Sequence, residues 1–228
     1  RLGRGQQPRE LMKPFLFLLA VMFGAVPVHA EELPIFDTHM HYSSSAWDVY
    51  APGNILKKLD TANITRALVS STPDAGTMKL FDIAPGRVVP GLRPYRTRAD
   101  MARWYEIPAV LAYSKTRLAS GHHKALGEIH LYLPKNVETP EMAEYLDMAV
   151  ARGLIIQPHT DAPVVEALFR MRPNLKILWA HAGFSEPAPV VARMLDQYPN
   201  LWAELSYRAT EIHPDDKLDP EWKALLIR

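Results

Sequence analysis

From Leu33 onward the chain alternates short apolar runs with longer stretches whose apolar residues recur at helical spacing. The sharpest of these is TPEMAEYLDMAVARG, with Thr139 as N-cap, Pro140 at the first helical position and Gly153 just past the end. Within it Met142, Tyr145, Leu146, Ala149 and Val150 fall at i, i+3, i+4, i+7 and i+8, which predicts one apolar stripe laid on a core. LIIQPH follows as a buried strand. Two later helices repeat the arrangement, one led by Asp161 and carrying Val164, Val165, Leu168 and Phe169, the other led by Ser185 and carrying Val190, Val191, Met194 and Leu195. Each closes on Pro-Asn-Leu and a strand; Pro173 and Pro199 stand 26 residues apart, the period of one helix plus one strand.

The same rhythm read from the start predicts strands near Ile35 to His39, Arg66 to Ser70, Val88 to Leu92, Ala125 to Leu131, Leu154 to His159, Ile177 to His181 and Trp202 to Ser206. Right-handed crossovers of this length make a parallel sheet, and eight such units close into a barrel. The expected fold is therefore α/β, of the (β/α)8 TIM-barrel type, C-terminally truncated so that about seven strands are present. A helix starting near Pro220 fills the end of the chain, and an eighth strand is expected beyond Arg228. A doubly wound open sheet is the rival, but no glycine-rich phosphate loop follows the first strand.

Residues 1–11 lack an initiator Met and read as a spurious upstream segment. Residues 12–30 read as a signal peptide: Met12-Lys13 opens an apolar run from Phe15 to Val26, too short to cross a bilayer, and Val28 and Ala30 suit cleavage after Ala30. The expected location is periplasmic or secreted, with no membrane attachment after cleavage. Residues 31–228 then form one barrel domain with no linker. The net charge of +1 over the whole chain becomes 22 basic against 24 acidic residues once the first thirty are removed. No electrostatic footprint for nucleic acid remains, so a small molecule is the expected partner, and a homo-oligomer is allowed. The chain has no cysteine, so any metal must be held by His and carboxylate.

IFDTHMHYS sets His39 and His41 two apart at the end of the first strand, where period-2 alternation turns both imidazoles to one face. His159 ends the fifth predicted strand and His181 the sixth. Four histidines at the C-terminal ends of three strands sit where such barrels keep their active sites, and packing alone would favour Val, Ile or Leu there. Together they point to a shared metal ion. GEIHLY adds Glu128 and His130 on one face of the fourth strand. Glu128 can serve as metal ligand, bridging carboxylate or proton shuttle, or pair with a neighbouring Arg or Lys at the barrel bottom; His130 competes for the same role. Arg93 after the third strand can clamp a substrate carboxylate or be a solvated loop arginine, and Tyr207 and Arg208 after the seventh strand have the same standing. His122, His123 and His213 lie in polar loops and are expected to face water.

With these residues the stretch from Leu33 to Arg228 resembles the amidohydrolase superfamily, in particular its amidohydrolase-2 branch, which includes aminocarboxymuconate-semialdehyde decarboxylase. The resemblance implies a divalent metal on His39, His41 and His159, with His181 either taking a second metal or acting as acid/base. It also implies a final-strand aspartate in a Gly-Ser-Asp or Gly-Thr-Asp setting, which this sequence lacks; Asp215, Asp216 and Asp219 sit in a proline-flanked loop instead. The fourth-strand lysine that is carbamylated in many two-metal relatives has no clear counterpart here, since that strand shows Glu128, which favours one metal: zinc by default for a His-rich site, with iron, manganese, cobalt or nickel able to occupy similar ligands. The expected function is a metal-dependent hydrolase in which activated water attacks a small ester, lactone or amide, with His181 and Glu128 as catalytic residues and Arg93 on substrate. Alternatives are non-oxidative decarboxylation of a small unsaturated or aromatic carboxylate and a non-catalytic periplasmic metal- or ligand-binding protein.

Overall fold

A computed structural model describes residues 33–227; the segments predicted as upstream sequence and leader, residues 1–30, lie outside the described residues. Seven strands, β1 (Ile35–Met40), β2 (Ile64–Ser70), β3 (Val88–Leu92), β4 (Ala125–His130), β5 (Ile155–His159), β6 (Lys176–Trp179) and β7 (Leu201–Ala203), form one sheet in sequence order. Every neighbouring pair is parallel. Helices α1 (Pro52–Thr61), α2 (Ala75–Ile83), α3 (Pro108–Leu118), α4 (Pro140–Arg152), α5 (Ala162–Met171) and α6 (Ala188–Gln197) fill the six crossovers, and α7 (Ala209–Ile212) and α8 (Pro220–Leu226) follow β7. Strands β1 and β7 are the sheet edges, yet the imidazole of His39 on β1 lies 2.8 Å from the carboxylate of Glu204, the residue after β7. The sheet is therefore curled into a half-barrel whose C-terminal strand ends face one another.

The local signals explain the elements. In α4 the Thr139 hydroxyl accepts from Met142 N at 3.2 Å, and Gly153 closes the helix in the left-handed region at φ 64°. Met142, Tyr145, Leu146 and Ala149 are buried as predicted, but Val150 is 40% exposed because i+8 lies at the margin of the stripe, beyond what packs on α4. The helix expected to start at Ser185 begins at Ala188. Pro187 biases Glu186 towards extended backbone, and the Glu186 carboxylate accepts from Ala162 N at 2.7 Å, so it satisfies the first turn of α5 where Asp161 makes no capping bond.

Most of the core lies between β3–β7 and the surrounding helices, including Leu126, Leu146, Ile156, Leu168 and Ile177; a smaller cluster joins β1 and β2 to α1 and α2. Gly76 permits the second cluster to close, since a Cβ there would fall 1.9 Å from the Tyr42 carbonyl oxygen. Strand register sets His130 beside His159 and Ser70 beside Gly91. Two indoles pin the strand ends, Trp104 Nε1 donating to His130 O and Trp179 Nε1 to Thr160 O. Among the described residues no helix is long and apolar enough to cross a membrane.

Candidate metal centre

The carboxylate of Glu128, 3% exposed, lies at the middle of the strand ends. Four imidazoles surround it: His159 Nδ1 at 2.7 Å and His181 Nε2 at 3.3 Å from Oε1, His41 Nε2 at 3.1 Å from Oε2, and His39 Nε2 at 3.6 Å from Oε1. Every residue that the sequence put forward for metal or catalysis is brought together here. Arg93 joins them: it is 7% exposed, and Nη2 donates to Glu128 Oε2 at 2.7 Å. It is thus no solvated loop arginine, and Glu128 is paired at the mouth of the half-barrel rather than at its bottom, because β3 delivers Arg93 to the same end as β4 delivers Glu128.

Three of the imidazoles have their far nitrogen committed to an acceptor. His39 Nδ1 faces the Glu204 carboxylate at 2.8 Å, His41 Nδ1 the Ser70 carbonyl at 2.5 Å, and His181 Nδ1 the Ser206 carbonyl at 3.0 Å. Those nitrogens must carry the proton, which leaves the three Nε2 lone pairs aimed at one place beside a carboxylate. His39 Nε2 and His41 Nε2 are 3.2 Å apart. Two lone pairs at that distance repel unless a proton or a cation lies between them, and ~3.3 Å is the separation of two nitrogens on one tetrahedral ion with bonds of about 2.0–2.1 Å. The donor set thus fits a divalent cation without any sulfur ligand. His159 Nδ1 reaches the same point, while among the described residues its Nε2 meets no hydrogen-bond partner.

The titration behaviour agrees. Burial disfavours the charged form of His39, but the carboxylates of Glu128 and Glu204 outweigh it and raise its pKa to about 9. Burial would raise Glu128, yet the close imidazoles of His159, His181, His39 and His41 hold it far below the usual carboxylate range. Glu204 is drawn down to about 2, against its own burial, by His39 and the backbone of His181 and Ser206. The site demands positive charge at its centre. His130 is a different case: burial lowers it to about 4, and its Nδ1 lies 3.0 Å from the Tyr95 hydroxyl, which also accepts from His130 N. It is a neutral ring stacked on His159, centroids 4.5 Å apart, and one of its ring nitrogens lies within 4.8 Å of the donor atoms of Glu128 and His159.

His181 lies just past β6, in a 3-10 turn (Ala180–Gly183) rather than on the strand as expected. His181, Ala182, Gly183 and Phe184 all have positive φ, between 47° and 80°. Gly183 is required, since a Cβ would lie 2.4 Å from the Trp179 ring. The strained turn is held by Arg208, which donates to the carbonyls of His181, Ala182 and Glu186 at 3.1, 3.2 and 2.7 Å and is 2% exposed. Arg208 is therefore a buried clamp and not a solvated residue; Tyr207 is exposed, edge-on to the His181 ring. His123 is also corrected: it is 4% exposed and bonded to Asp74, because the loop before β4 tucks under α3. The sequence reading missed Glu204 and Ser206, although a lone acidic residue ending the apolar segment LWAE carried the same strand-end signal as the histidines.

Residues 118–227, which carry Glu128, His159 and His181, match the family model described as amidohydrolase. No curated protein matches the chain. Among solved structures, a Pseudomonas putida protein assigned as a 2-pyrone-4,6-dicarboxylic acid hydrolase superposes with a TM-score of 0.53 at 18% identity, covering 83% of this chain and 73% of its own. An Acinetobacter baumannii protein with the same assignment and citric acid bound gives a TM-score of 0.49 at 9% identity, covering 86% and 93%. A Burkholderia multivorans amidohydrolase with bound zinc gives 0.48 at 14% identity, covering 77% and 70%. Residues 118–227 are thus similar to the amidohydrolase family, and they lie in a curled parallel sheet that gathers four histidines at its strand ends.

Proposed function

We propose that the protein is an exported hydrolase that cleaves a C–O or C–N bond in a small ester, lactone or amide, using one divalent ion held by His39, His41, His159 and Glu128, with zinc the default metal for this donor set. The observation that carries this is the convergence of the oriented Nε2 lone pairs of His39 and His41 and of His159 Nδ1 on the buried Glu128 carboxylate. When bound, a divalent cation there supplies acidity to a water and polarises a carbonyl oxygen.

The rest is done by the chain. Glu204 and the Ser70 carbonyl fix the tautomer and orientation of His39 and His41. His181, with Nδ1–H held by Ser206 and Nε2 turned to the centre beside Glu128, takes the proton of the water that adds to the carbonyl carbon and returns it to the departing oxygen or nitrogen as that bond breaks. Arg208 keeps His181 in place through the carbonyls of its turn. Residues 12–30 act as the export leader in this reading.

Metal content by elemental analysis and turnover on lactones, amides and aromatic carboxylates test it together. His39→Ala and His41→Ala should lose the ion, whereas His181→Ala should keep it and lose about 10²–10⁴ in kcat on a lactone or amide. Unchanged metal stoichiometry in the first two variants overturns the ligand assignment, and loss of carbon dioxide from aromatic carboxylates without lactone or amide hydrolysis overturns the reaction.

A further inference from the structure

At the opposite end of the sheet from the histidine centre, where β4, β5 and β6 begin, lies a cavity of about 450 Å³. Three cations line it, Lys124 just before β4, Arg152 at the end of α4 and Lys176 at the start of β6, and among the described residues no carboxylate does. Strand register sets the lysines side by side: the Lys124 carbonyl accepts from Ile155 N at 3.0 Å, and Ile155 pairs with Lys176. Their backbones are thus two strand spacings, or roughly 10 Å, apart. Arg152 is already steadied, since Nη1 donates to Leu118 O at 2.8 Å. Among the described residues none of the three meets an acidic partner. Like charges gathered in one concavity focus a positive field, which in a chain of net charge +1 marks a place for an anion. A second observation comes from His123, which also lines the cavity and whose side chain is 1% exposed. Its Nε2 lies 3.0 Å from Asp74 Oδ1, while Arg117 Nε donates to Asp74 Oδ2 at 2.6 Å. An ionised carboxylate only accepts, so Nε2 carries the proton and Nδ1 is left as an acceptor. That Nδ1 is buried and, among the described residues, has no hydrogen-bond partner. Native proteins keep few such atoms without a functional reason.

We propose that this cavity binds a phosphate group, as the free ion or on a small organic molecule, with its oxygens held by Lys124, Arg152 and Lys176 and a P–OH donated to His123 Nδ1. The cations alone would take any oxyanion. The buried acceptor adds a need for a donor, which hydrogen phosphate and a singly ionised phosphate ester carry and which sulfate, fully ionised at neutral pH, lacks. Asp74 and Arg117 stand behind the ring and fix the tautomer that makes this distinction. The site lies at the strand starts, so it is separate from the histidine centre and independent of the hydrolase reading.

The test is calorimetric titration of the full chain at neutral pH with inorganic phosphate, sulfate and glycerol 3-phosphate. Phosphate should bind, and sulfate about tenfold or more weaker; Arg152→Gln and Lys176→Gln should each weaken phosphate by about 10- to 100-fold, the scale of a lost hydrogen bond to a charged group. Both side chains are exposed, so these two variants keep the fold whatever a change at the buried His123 does. His123→Gln retains an N–H for Asp74 and loses Nδ1, and should bring phosphate and sulfate to equal affinity. Lys57→Gln, an exposed residue on α1, and His39→Ala, at the histidine centre, should both bind phosphate as the wild type does. Binding of phosphate with exclusion of glycerol 3-phosphate supports the site with the free ion as its ligand, and binding of both supports it with the phosphate of an ester. No phosphate binding, equal affinity for sulfate in the wild type, no change in both Arg152→Gln and Lys176→Gln, or loss of binding in His39→Ala overturns the proposal.

Discussion

At the scale of single residues, the centre is governed by which nitrogen of each histidine carries the proton. Glu204 decides this for His39, and it also accepts from the backbone His181 N at 2.5 Å, so one carboxylate is tied to two of the four histidines. Glu204→Gln keeps the shape and removes the charge. A carboxylate behind a ligating histidine raises its basicity, so this variant should weaken metal affinity by about 10- to 100-fold, measured by competition with a chromogenic chelator. An affinity equal to wild type would mean that Glu204 has no part in setting the ligand field. Arg93 and Arg208 make the same point from the cationic side, since both are buried and each meets groups from a different strand end.

At the scale of elements, caps and turns decide where the site residues stand. Thr139 caps α4 with a real hydrogen bond, whereas Asp161 makes none at the start of α5. Thr139→Ala should therefore lower stability by about 1 kcal/mol, while Asp161→Ala leaves the urea midpoint where it was, and the two are compared by chemical denaturation. If both variants lose the same amount, Glu186 is not the group that satisfies the first turn of α5. The positive-φ turn after β6 is the other telling element. It stores strain at the position of His181 and is held by Arg208, whose guanidinium also lies over the Trp222 ring of α8 at 4.8 Å.

At the scale of the whole molecule, the ion is expected to act as a staple. Its ligands come from β1, β4 and β5, and Glu204 and His181 bring in β7 and the β6 turn, so binding ties distant parts of the chain. An ion at a thousand times its Kd stabilises the folded state by about 4 kcal/mol. For a chain of this size that corresponds to roughly 8 to 16 °C in the thermal midpoint. Thermal unfolding with a chelator and after adding back zinc should show this difference; an unchanged midpoint would mean that no ion is held there.

The alternation of apolar runs and helical stripes determined the strand order, the class of fold and the strand ends where chemistry would gather, because burial periodicity and caps are local properties of the chain. His39, His41, Glu128, His159 and His181 were legible for that reason. What only the tertiary structure decided was which polar groups face one another across the curled sheet: that Arg93 meets Glu128, that Glu204 stands behind His39, that Arg208 is buried under the His181 turn, and that His123 is buried against Asp74. These pairings join residues up to 165 positions apart, and no local pattern of hydrophobicity encodes them. They follow from strand register and curl, which bring the groups close enough for charge and hydrogen bonding to select their partners.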